Sequence, residues 1–234
     1  MKRTQEPTIR PQHGAFTLVE MLVVIAIIAI LAGILVPVVG RAKTKAKVAA
    51  ARVEMAGLEL AIKSYHNDYS RWPLPKGAAS WTNDGGDFTY GSKGAPGNEA
   101  LMQILMAEAG NHNTGHERNP KKNKYIDPKD SGETNDLPGF STTGRYHDPF
   151  GNEYIISLDL DSDGGCADQD YYNLDPDKGG LFGLVKHKDI NDDKPDNRYV
   201  YKGEVMIWSF GPDKTKRKKP GESGSKTDNI LSWR

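Results

Sequence analysis

The sequence predicts an α+β protein. A long N-terminal membrane-spanning α-helix is expected, packed at its C-terminal half on a small antiparallel β-sheet head. Three observations predict this. Residues 21–40 form an uncharged apolar block. An apolar stripe at helical spacing continues beyond it to Tyr65. Short β-type runs arrive only after residue 150, separated by Gly- and Pro-rich connections. The chain has 234 residues and is 37% hydrophobic, but the apolar block takes a large share, leaving a polar remainder. About 190 residues beyond it suffice for a small core.

The first fifteen residues are polar, with Lys2, Arg3 and Arg10 against Glu6. At about 1.5 Å per residue, residues 21–40 span about 30 Å, one hydrocarbon core. A cleaved secretory signal has a shorter apolar region and a small-residue cleavage site after it; here Arg41 follows directly. A membrane helix fits better. Basic residues lie on both sides of it, with Arg41, Lys43, Lys45 and Lys47 beyond, so the positive-inside count leaves orientation open. Glu20 stands at the mouth of the apolar run, where a carboxylate is costly unless paired. It reads either as a boundary residue reaching the headgroups or as a charge in search of a partner.

The run Gly14-Ala15-Phe16-Thr17-Leu18-Val19-Glu20, followed by the apolar helix, resembles the class III signal of type IV prepilins and type II secretion pseudopilins. In those families a short basic leader ends in Gly, then Phe, with Glu four residues on. Here Ala15 intervenes, so cleavage after Gly14 and cleavage after Ala15 both stay open. With cleavage at Ala15–Phe16, Glu20 becomes the fifth mature residue and Pro37 the twenty-second, where the family commonly has proline; this register is preferred. The resemblance implies a leader over residues 1–15, removed by prepilin peptidase, and N-methylation of Phe16. It implies that Glu20 pairs with the terminal amine of a neighbouring subunit, two opposite charges in a low dielectric. Phe16, Glu20 and Pro37 are the implied assembly residues. The leader would be cytoplasmic, and the head periplasmic on a single-pass inner-membrane anchor.

Val48, Ala51, Met55, Leu58, Ile62 and Tyr65 are spaced 3, 4, 3, 4 and 3, and no proline occurs over residues 42–71. The long helix is therefore expected over residues 16–68, ending near Asn67, about 75 Å in all, with the span over 16–40 and an amphipathic half above. Pro37 is a candidate kink. The stripe reads as the face toward the protein's own sheet, while Ala26, Ala29, Ala32 and Gly33 suit close helix approach in a bundle.

The head, residues 69–234, begins with Gly- and Pro-rich loops. A short helix is expected over residues 98–109, with Asn98 as N-cap and Leu101, Ile104, Leu105 and Ala109 apolar. Residues 110–144 are polar and aperiodic and read as a long inserted loop of the kind that is mobile. Strands are expected over residues 153–158, 198–201 and 205–209. Ser70-Arg71-Trp72-Pro73, then Asp148-Pro149-Phe150-Gly151-Asn152-Glu153-Tyr154, then Trp208-Ser209-Phe210-Gly211-Pro212-Asp213 and the C-terminal Asp228 to Trp233 resemble, in order, segments of major (G-type) pseudopilins. The departures are the 110–144 insertion, an Asp-rich stretch, and five basic residues in 214–219.

Two oxygen-rich loops are candidate calcium sites. Asp159-x-Asp161-x-Asp163-Gly164, with Asp170 at the twelfth position, has the spacing of an EF-hand loop, though Asp replaces Glu at the end and a strand precedes it. Seven Asp within 159–177 would repel one another without a cation. The second loop, 209–229, is the family's calcium site by resemblance, with Asp213, Asp228 and Asn229 as the matching positions; calcium there would hold Ile230 and Trp233 against the sheet. The basic run weakens the local field for a cation and reads chiefly as a solvated hairpin tip.

Lys+Arg and Asp+Glu number 31 each, which argues against a general nucleic-acid binder. One cysteine, Cys166, excludes an internal disulfide framework and Cys-based zinc. Scattered histidines, and the lack of a nucleophile elbow, P-loop or dinucleotide fingerprint, give no support to catalysis. The expected function is a pseudopilin of a type II secretion system: a homo-oligomeric filament subunit whose partners are minor pseudopilins, prepilin peptidase and the inner-membrane assembly platform. The alternatives are a type IV or minor pilin for adhesion or DNA uptake, and a membrane-anchored periplasmic binding module.

Overall fold

The computed structural model describes residues 16–82, 86–91, 94–132, 137–171, 183–186, 199–213 and 229–233. The chain divides into two compact units, residues 1–44 and 45–234. One helix, α1 (Leu18–Tyr69), contributes to both, and Pro37 lies inside it without ending it.

In the first unit the helix is long and apolar enough to cross a membrane. Its large apolar side chains, from Leu18 to Val39, are exposed throughout. Exposed apolar surface of this extent on a monomer marks a membrane or assembly surface.

In the second unit the stripe predicted from spacing is the buried face of α1: Ala51, Met55, Leu58, Ala61, Ile62 and Tyr65 are buried, and Val48 packs against their cluster. Burying each of the larger side chains contributes about 1.5–3 kcal/mol. They pack with α2 (Glu99–Leu105) and one face of a four-stranded antiparallel sheet. Its strands are β1 (Phe88–Tyr90), β5 (Ile155–Leu158), β8 (Val205–Ser209) and β9 (Ile230–Leu231), in that spatial order. Alternation with period two sends Ile156, Leu158, Val205 and Ile207 toward the helix. The intervening Ile155, Met206 and Trp208 face a second cluster with Cys166, Tyr171, Tyr199 and Leu231. Both faces are covered, so β5 and β8 read in sequence as near-continuous apolar runs, broken only by Ser157 and ended by Ser209, rather than alternating ones.

Two smaller sheets accompany it. β2 (Asp130–Gly132), β3 (Gly139–Ser141) and β4 (Tyr146–His147) form one; β6 (Val185–Lys186) and β7 (Tyr199–Val200) form the other. The sheet packed on α1 is antiparallel throughout, as expected, and in the first of the smaller sheets β2 pairs with β3 in parallel.

Two local expectations also change. Asn98 stands at the N-cap position of α2 as expected, but its side chain makes no capping bond. It lies fully buried, its Nδ2 donating to the carbonyls of Tyr146 (2.8 Å) and Tyr154 (3.0 Å) while its Oδ1 accepts from the Tyr146 amide (2.9 Å). The helix stops at Leu105, short of Ala109, and just beyond it Ala107 takes φ +57°. The insertion is a pinned segment over much of its length. Buried Asn113 accepts from the amides of Arg118 and Asn119. Buried Asn119 donates to the carbonyls of Ile104 and Asn123 and accepts from the Tyr69 hydroxyl. Tyr65 donates to the Arg118 carbonyl, Arg71 to those of Glu117 and Arg118, and Tyr125 to Asp68. Asn119 thus ties the loop to the end of α1, and Asn113 braces the loop internally and against the segment after α2.

Candidate functional site

At the start of the apolar helix, Phe16 is non-helical and exposed, and α1 begins two residues later. The Glu20 carboxylate accepts from the Thr17 amide at 2.8 Å and from the Thr17 hydroxyl at 2.7 Å. The Thr17 hydroxyl in turn accepts from the Glu20 amide at 3.2 Å. This reciprocal pair is a capping box, which satisfies donors that a helix start leaves open. It also places a carboxylate at the positive end of the helix dipole. The Thr17-x-x-Glu20 spacing is the signal in the sequence that marks this helix start. Gly14 and Ala15 lie outside the described residues. Pro37 lacks an amide hydrogen and so removes one backbone bond within the span.

The Asp148 turn is the second constructed feature. Asp148 is fully buried, with Oδ1 accepting from the amides of Phe150 and Asn152, both at 2.8 Å. Its Oδ2 accepts from the Ser209 hydroxyl at 2.7 Å, and Asn152 Nδ2 donates to the Gly211 carbonyl at 2.8 Å. Gly151 takes φ +87°, a conformation that glycine adopts freely. Two segments far apart in sequence, 148–152 and 209–211, are therefore one hydrogen-bonded unit. Beside it Tyr154 donates to Glu54 of α1 at 2.6 Å. Burial is the main cause that raises the Glu54 carboxyl above its usual range; the Tyr154 bond opposes it and the charge of Asp148 adds to it.

In the acidic loop the structure brings together Asp87, Asp159 and Asp161, with one carboxylate oxygen from each lying within 4.8 Å of the others. Asp87 comes from the segment before β1, a residue that the linear spacing did not point to. It is fully buried and accepts from the amides of Leu160 (2.8 Å) and Ala167 (2.6 Å). Burial first, with the charges of Asp159 and Asp161 adding to it, pushes its carboxyl up from 3.8 to about 7 against those two donors. Asp159 is buried and also raised, first by burial; its two oxygens accept from the amides of Ser162 and Gly164.

The predicted ligands Asp163 and Asp170 are outside this trio. Asp163 is exposed and accepts from the Gly165 amide at 2.8 Å, and Asp170 is an exposed turn residue. Asp168, which sequence reasoning did not single out, is instead a buried hub. It accepts from the Ser157 hydroxyl (2.6 Å), the Trp208 indole (3.0 Å) and the amides of Asp170 and Tyr171.

Of the second loop, Asp228, the Asp213 side chain and the basic run 214–219 lie outside the described residues. Ser209 is committed to Asp148. Asn229 donates from Nδ2 to the Tyr171 hydroxyl at 2.8 Å, while its Oδ1 is buried without a hydrogen-bond partner among the described residues. Such an orphaned oxygen is the type of atom a cation or donor would satisfy.

No curated protein and no solved structure matches the chain. Residues 10–36 match the family model described as the prokaryotic N-terminal methylation motif. The matched stretch contains Phe16, Thr17 and Glu20 and most of the exposed apolar helix. Together with an apolar helix compatible with a single-pass anchor and a helical stretch packed on an antiparallel sheet, the match supports a type IV pilin-like protein, of the kind processed by prepilin peptidase for pilus-type assembly.

Proposed function

We propose that the chain is a pseudopilin of a type II secretion system, a structural subunit rather than an enzyme. Prepilin peptidase removes residues 1–15 and N-methylates Phe16. The inner-membrane helix then leaves the bilayer to pack with other copies and with minor pseudopilins, on an assembly platform, into a periplasmic filament that moves folded proteins outward. The observation that carries this reading is the start of α1. A carboxylate sits at the entry of an exposed, otherwise uncharged helix, inside the matched methylation motif.

The finer choice of a secretion pseudopilin rests on the Asp148 unit. The two stretches that resemble major pseudopilins, at 148–154 and 208–213, meet through Asp148–Ser209 and Asn152–Gly211. A type IV pilin or minor pilin for adhesion or DNA uptake is the alternative.

Calcium is proposed as a structural ion of the head. Asp87, Asp159 and Asp161 offer hard oxygen ligands close together, which suits calcium chemistry. In the second loop Asn229 offers an unsatisfied oxygen, with Asp213 and Asp228 as its proposed companions. Bound there, calcium would relieve repulsion among carboxylates and fix the loops that carry them.

The test is deletion of the gene, followed by assay of secreted proteins and of surface filaments. Folded exoproteins retained in the periplasm support the pseudopilin. Intact secretion with loss of surface filaments would replace it with the pilin reading.

A further inference from the structure

We draw no further inference here: the strongest candidate, the exposed apolar stripe of Ala49, Val53, Gly57 and Leu60 on the face of α1 turned away from the sheet, is a surface through which pilin-type helices are already expected to pack on one another, and nothing in the structure shows a different occupant.

Discussion

Thr17 and Glu20 hold each other across the first turn of α1, the carboxylate accepting at 2.8 and 2.7 Å from the Thr17 amide and hydroxyl. Glu20 therefore has two separable duties, capping the helix and offering a negative charge. Gln at the third helical position preserves a capping box but carries no charge. Glu20→Gln should leave the inserted helix intact and reduce filament yield nearly as far as Glu20→Ala. Thr17→Ala, which removes a cap worth about 1 kcal/mol, should weaken assembly less. Filament yield in cells, with membrane insertion as the control, separates the two duties. Normal assembly by the Gln variant would leave capping as the only role.

The Tyr154–Glu54 bond joins α1 to the head across 100 positions of sequence. Because Glu54 holds its proton more tightly in the folded state, unfolding releases a proton once the pH passes its usual value near 4.5. Its contribution is thus fully present below that value and is lost as the pH rises through the raised one. Glu54→Gln should abolish this part of the decline, and Tyr154→Phe should cost about 1 kcal/mol. Melting temperature against pH for the three proteins checks both.

Asn119 anchors the insertion through bonds to Ile104, Asn123 and Tyr69. Truncation leaves buried partners unpaired, so Asn119→Ala should destabilise the head by about 2–3 kcal/mol. Amide exchange should rise first over residues 113–125. A uniform loss of protection across the head, with none concentrated there, would show that the segment unfolds only with the whole.

Calcium should raise the melting temperature of the head, and chelation should reverse the rise; at a hundredfold excess over Kd the gain is about 2.7 kcal/mol. Asp87→Asn and Asp161→Asn should each diminish the shift, whereas Asp170→Asn should leave it largely unchanged. A shift diminished by Asp170→Asn and Asp161→Asn but not by Asp87→Asn would restore the linear EF-hand set. No shift in any of these proteins would remove calcium from the acidic loop.

The parts of the fold legible in sequence are those with a strong period. The 3-4-3-4-3 spacing from Val48 to Tyr65 marks the face that packs on the sheet, and the run 205–209 coincides with β8. Strands of two or three residues, such as β1 and β4, are too short to show a period and are held by neighbours distant in sequence. Asn98 illustrates a local signal overridden by a tertiary one, because the side chain that suits a helix cap is drawn into bonds with Tyr146 and Tyr154. The acidic site was legible only in part. Asp159 and Asp161 belong to one spacing motif, but Asp87 joins them because β1 pairs with β5, a contact that no linear motif records. The insertion appeared loose because Asn113 and Asn119 are polar, yet burial makes them its fixing points.

The central claim is processing at the N-terminus followed by assembly, and mass spectrometry of the N-terminal peptide from native membranes tests it most directly. The account predicts a mature chain beginning with N-methylated Phe16, which places Glu20 fifth. A chain beginning at Ala15 would keep the processing and overturn the register. An intact leader on all of the membrane-bound protein would contradict the account and leave a plain membrane anchor.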